Sequence, residues 1–435
     1  MNKIIHGVLL SALTISAAHA QLHSNRTYLR ARDSLSHNGA MNMMGEARRL
    51  HGAKGGFGST VSVTGYYREM HNKSDVAKYF GGGQAVNSDQ LGTIVAGAEP
   101  TTHEGRANNL SGDNIQHLDA GTGSATGTIT LAPTRTEYGA HINWTHNLSK
   151  WMKGLYVSAD LPIARVETNM GMTSTDATVT SYFAGTLTGT GADAQTALSH
   201  ARIDATKRTK TDLADLGLTL NYRVRDYKDS KLHFSGHFTV PTSKKHDGVN
   251  LFQPQAGSGG HFGLGGSVHW LARLWHTNPC TQGLDLFANA HYRYLFSTNQ
   301  TRTLGLYNHW YNRLATAGHY RNLGKAGATS AMPGANVLTR TVNVTPGSEF
   351  SGIVGLKYHY KNFNLFASYN LYARDKEAVS LSATNKWFDG EYAMMATGHA
   401  MTTAVVVGKN AHTIGGAIQQ EGNTTAITKD SAGAA

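Results

Sequence analysis

Charged and imidazole side chains recur on one parity of several alternating stretches in this chain. The basic members are Arg68, Arg223, Arg273, Arg293, Lys357 and Arg374, set against Asp160, Asp215 and Asp285. His141, His233, His237, His269, His291 and His359 keep the same parity. Residues two apart on a strand share a face, so these groups would line one wall. A wall with more cations than carboxylates favours anionic solutes, as charged rings do in pores. If the groups pair with one another instead, the same wall is a salt-bridged filling. No metal is expected: His233 and His237 lie four residues apart on a strand, about 13 Å, too far to share an ion bound at about 2.1 Å. Ser, His and Asp are plentiful, yet none sits in a recognisable motif, and triads are defined by geometry. Gly259-Gly260-His261-Phe262-Gly263 is glycine-rich but opens an extended stretch, so it is not a phosphate loop. No catalytic residue, enzyme activity or cofactor is expected.

The positioning elements are clearest at 351–374. Val354, Leu356, Tyr358 and Tyr360 share one face of a first arm, opposite Ser351, Gly355, Lys357 and His359. Phe363, Leu365, Ala367, Tyr369, Leu371 and Ala373 alternate with Asn364, Ser368, Asn370 and Arg374 on a second. A two-residue turn at Lys361-Asn362 pairs Tyr360 with Phe363, Tyr358 with Leu365, Leu356 with Ala367 and Val354 with Tyr369. Every such pair joins apolar residues, so one register satisfies both arms. Phe366 and Tyr372 fall on the polar side and break the pattern.

Residues 1–20 combine Lys3, an apolar run from Ile4 to Ile15 and Ala18-His19-Ala20. That is the pattern of a secretory signal peptide, and the run is too short for a membrane anchor. The chain is therefore expected to be exported. Gly 49 and Tyr 19 against Pro 8 and Cys 1 describe a β protein without a disulfide framework, with Cys280 an inert turn residue. The net charge of +11 suits an anionic partner, and export sets nucleic acid aside in favour of lipopolysaccharide or a membrane surface. Residues 21–57 are polar and basic, either a flexible N-terminus or a plug inside a barrel.

Alternation predicts strands at 58–70, 126–146, 155–166, 212–224, 231–240, 261–275, 284–297, 350–360 and 363–374. A phase switch at Pro133 reads as a bulge in one long strand. Links at 147–154, 225–231, 276–283 and 361–362 are short; those at 71–123, 167–211, 241–260 and 298–349 are long, in strict alternation. Trp144, Tyr222, Tyr292, Tyr294, Phe296, Tyr358 and Tyr360 collect near strand ends on the apolar side. Ten residues at about 3.3 Å, tilted by about 45°, rise roughly 23 Å, close to the apolar band of an outer membrane.

With this anatomy the chain resembles the bacterial outer-membrane β-barrel proteins, in the broad, porin-like sense. The resemblance covers about residues 58–374 and rests on the signal peptide, the periodicity and the loop alternation, with no short motif behind it. It implies an all-β, antiparallel up-and-down transmembrane barrel of about 10–12 strands with long outer loops, set in lipid and lipopolysaccharide. Bacterial barrels use an even strand number, so an odd count leaves residues 375–435 as an outer loop with a weak closing strand or a truncated end. The function expected is passage or uptake of small, preferably anionic, solutes. The alternative is a surface-display barrel with a closed lumen whose long loops bind a partner. A third is a secreted soluble β-sandwich or propeller with the apolar faces as its core.

Overall fold

The computed structural model describes residues 28–33, 58–81, 93–97, 109–111, 127–382 (except 176, 187–195, 228–229, 278–281, 305–321, 326–330 and 362) and 392–394. The expected signal peptide, most of the segment 21–57 and the expected closing strand after residue 394 lie outside the described residues.

Antiparallel sheet dominates. Ten strands build one sheet: β1 (Ser59–Glu69), β2 (Thr134–Asn147), β3 (Leu155–Asn169), β4 (Arg208–Leu213), β5 (Leu216–Tyr227), β6 (Ser230–Val240), β7 (Gly263–His276), β8 (Gln282–Leu295), β9 (Gly347–Tyr360) and β10 (Phe363–Arg374). Each pairs with its neighbour in chain order, except that β4 and β5 share β3, pairing with its two halves. Right-handed strand twist curls an extended sheet, and this one curls into half a barrel.

The 351–374 hairpin has the expected register, Tyr360 opposite Phe363 through Val354 opposite Tyr369. Lys361 at its turn has φ 51°, in the left-handed region that a tight hairpin requires. Two predicted strands divide. The chain does not bulge at Pro133: Gly127–Thr130 belongs to a separate small sheet with Thr93–Gly97, and β2 begins after the proline, which offers no N–H to a continuing ladder. The strand expected at 212–224 is interrupted at Ala214-Asp215, where β4 ends and β5 begins.

The predicted long loops hold structure of their own. They carry the helices α1 (Lys73–Gly81), α2 (Ala177–Ala184) and α3 (Gly334–Leu338), and a sheet of Thr298–Thr303, Thr339–Thr345 and Ala378–Leu381. Phe80 of α1, Val179, Tyr182 and Phe183 of α2, and Leu198, Ile203 and Leu251 pack into an apolar core. Each such side chain contributes about 1.5–3 kcal/mol by leaving water.

The ten-stranded sheet has the opposite arrangement. Across its strands one row reads Tyr222, Phe234, Val268, Ala290, Gly352, Leu371. Its larger members are exposed: Phe234 at 45% and Val268 at 38%. The row one residue over reads Asn221, Ser235, Ser267, His291, Ser351, and all but His291 are buried. Apolar residues turn outward and polar ones inward.

Candidate functional site: the polar concave face

Strand parity carries the polar side chains to the concave face, and pairing register sets which of them meet. Arg273 of β7, Asp285 of β8 and Lys357 of β9 stand directly across from one another. Arg273 Nε lies 3.6 Å from Asp285, and His359 Nδ1 lies 3.9 Å from its other carboxylate oxygen. His141 of β2 faces Asp160 of β3 at 3.7 Å, with the Tyr66 ring 5.0 Å from the imidazole. His233 is buried beside the Tyr156 hydroxyl at 3.3 Å.

Near the long-loop end the face is dense in charge. Arg293 of β8 donates to Glu349 of β9 and to Asp33 of the N-terminal segment, while Arg30 of that segment donates to the other oxygen of Glu349. Arg374 donates to the Arg30 carbonyl oxygen at 2.8 Å, and Arg32 stacks over Tyr372, whose hydroxyl donates to Glu349 at 3.0 Å. Burial alone would lower the Arg30 pKa, but the carboxylates of Glu349, Glu377 and Asp33 outweigh it and hold Arg30 above its ordinary value. Arg68 and Arg135 converge on fully buried Glu137. Desolvating such ions is costly, and only mutual pairing offsets it. The segment Tyr28–Asp33 is thus tied to the concave face, and Tyr28 in turn is held by Arg302, His246 and the hydroxyl of Tyr79.

Of the residues expected on the polar wall, Asp160, His237, His269, His291 and Arg293 come together around one cavity with Asn289 and Ser351. Arg223 sits by the short-turn end, its N–H donating to the Gly154 carbonyl at 2.9 Å. Asp215 is an anchor in the β4–β5 break, accepting from Ser243 Oγ at 3.0 Å and Ser258 N–H at 2.6 Å. Gly257 lies so close that a Cβ there would meet Ser243 Oγ at 2.3 Å and Asp215 Oδ1 at 2.7 Å. Burial raises the Asp215 pKa, partly countered by its Ser258 and Ser243 hydrogen bonds.

Glu137 and Glu349 share the inward parity of His141 and Ser351, a signal legible in the sequence that the list of wall residues did not use. Arg30 and Asp33 had none, since they lie outside any alternating stretch. The two exceptions on β10 also find their reasons. Phe366 packs edge-on to Phe287 at 6.5 Å, and Tyr372 serves Glu349.

On the convex face Trp144, Tyr222, Tyr292, Tyr294, Phe296 and Tyr360 are exposed, and Tyr358 is half-buried. Trp144, Trp270, Trp275, Tyr358, Tyr360 and Phe363 stand toward the short turns; Tyr67, Tyr138, Phe238, Tyr292 and Tyr294 stand toward the long links. Among the described residues no His, Cys, Asp and Glu cluster is placed to hold a metal ion. No protein-family model matches the chain, and a comparison with curated proteins returns no match.

Proposed function

We propose that the chain is a membrane β-barrel of the outer-membrane type whose polar concave face takes up or passes small polar solutes. The observation that carries this reading is the opposition of two patterns in one chain. The long links bury leucines and phenylalanines such as Leu198, Leu251 and Phe183; the ten-stranded sheet exposes many of its own, among them Leu220, Phe234, Leu264, Leu356 and Leu365, while Phe287 and Leu295 turn inward. A contiguous apolar belt of that kind far exceeds what soluble monomers leave in water. In lipid it is well solvated, and paired strands satisfy the backbone there. Aromatic side chains toward both ends of the belt fit the two membrane interfaces, with lipopolysaccharide a natural neighbour. Closure of the sheet belongs to the proposal. β1 and β10 run in the same direction, so a strand running the opposite way would pair antiparallel with both.

Electrostatics narrows the solute. Arg293, Arg273 and Arg68 each face a carboxylate, so three of the six cations that argued for anion preference are compensated within the wall. Polar, rather than anionic, describes what the face would accept. The test is planar-bilayer conductance and vesicle permeability of refolded protein: solute-dependent steps are expected, and inserted protein that passes no solute would discard the passage. A second reading is favoured by the buried network around Tyr28–Asp33, which fills part of the face. In it the lumen is closed and the folded long links bind a partner, and silent but inserted protein is its signature.

A further inference from the structure

A cavity of about 70 Å³ opens on the concave face between β5 and β9, with His237, His269, Asn289, His291 and Ser351 in its wall. At about 10–15 Å³ per water-sized group, it holds about five to seven non-hydrogen atoms. His269 and Asn289 are each 7% exposed, and His269 Nδ1 and Asn289 Oδ1 have no hydrogen-bond partner. A buried polar atom left unpaired is unfavourable, and a hydrogen-bonding ligand relieves it.

The wall also states what kind of ligand. The Ser267 hydroxyl bridges His237 Nε2 at 2.7 Å and His269 Nε2 at 2.8 Å, and the His237 and His291 rings meet at 4.6 Å. Hydroxyls, imidazole rings and the amide of Asn289 can each both donate and accept. They match a ligand whose own groups do both. Of the charged groups in the wall, Arg293 is engaged with Asp33 and Glu349, and Asp160 lies 3.7 Å from His141. An anion entering would lose hydration without gaining an unmatched cation. We propose that this cavity binds a small neutral polyol of about glycerol size, a step that rests on the reading of the concave face as a solute surface.

The full chain, refolded in detergent with 15N-labelled histidines, is titrated with glycerol, and separately with lactate and ethanolammonium. Saturable shifts of the His269 and His291 signals are expected with glycerol, with a response to either ion weaker by about tenfold or more. Asn289→Ala is expected to weaken glycerol by about tenfold. Ser351→Ala, which removes a single hydroxyl from the wall, is expected to weaken it severalfold and serves if the first variant does not fold. No saturation with glycerol, equal saturation with an ion, or unchanged binding in the variants would overturn the site. Flotation with lipid vesicles is read alongside. Co-flotation without a glycerol response removes the site and leaves the barrel; a glycerol response in protein that stays in the aqueous fraction removes the barrel and leaves the site.

Discussion

Arg293 and Glu349 face each other from adjacent strands, both at most 4% exposed, and Asp33 from the other end of the sequence completes the contact. Arg30, on the other oxygen of Glu349, makes four charges that hold one another out of water. Removing the Arg293 guanidinium leaves two buried carboxylates with one cation fewer, Arg30 still on Glu349. Arg293→Met is therefore expected to destabilise the fold by about 3–5 kcal/mol, read by urea unfolding. A change below about 1 kcal/mol, the range of surface pairs, would mean the contact is solvated.

Leu356 and Lys357 are neighbours on β9 with opposite environments, one on the convex belt and one beside Asp285. Leu356→Arg is expected to cost about 2–4 kcal/mol when folding is measured in lipid bilayers. In a soluble protein the same change at a 42% exposed position would be nearly neutral.

His261 donates from Nδ1 to the Phe296 carbonyl at 2.8 Å, and its Nε2 lies 2.8 Å from the Gln300 amide nitrogen, an arrangement suited to a neutral ring. Burial lowers its pKa to about 4, and burial together with the Arg302 charge lowers His246 to about 4, from 6.5. The unfolded chain takes up protons first as pH falls. Stability from each neutral imidazole is then complete above about pH 6.5 and is lost toward pH 4, by about 3 kcal/mol per histidine. Asp215, with its raised pKa, acts in the opposite sense and reduces the net slope. His261→Gln is expected to flatten the pH dependence of stability between those limits; an unaltered slope would show the ring titrating freely.

Gly257 packs against the Asp215–Ser243 pair with no room for a methyl group. Gly257→Ala is expected to destabilise by about 1–3 kcal/mol and to raise amide exchange over residues 241–260. Exchange unchanged there would show that the anchor does not hold this link.

Local alternation made the strands and the hairpin register legible, because Tyr358 and Leu365 both had to turn outward together. It also placed His237, His269 and His291 on one face. Ion pairing was not legible: Arg30 and Glu349 are 319 residues apart, and no local period joins them. For that reason the wall looked cationic when its carboxylates were undercounted. The break at Ala214-Asp215 was hidden as well, since parity shows a face but not a change of pairing position along the partner strand.

The direct test of the outward-facing belt is a spin-label scan of Ile353, Val354, Leu356 and Lys357, in a Cys280→Ser background, with the chain folded in vesicles. Labels at Val354 and Leu356 are expected to relax with oxygen dissolved in lipid, and those at Ile353 and Lys357 are not. Labels at Val354 and Leu356 that relax instead with a water-soluble nickel chelate would place the belt in water and contradict the barrel.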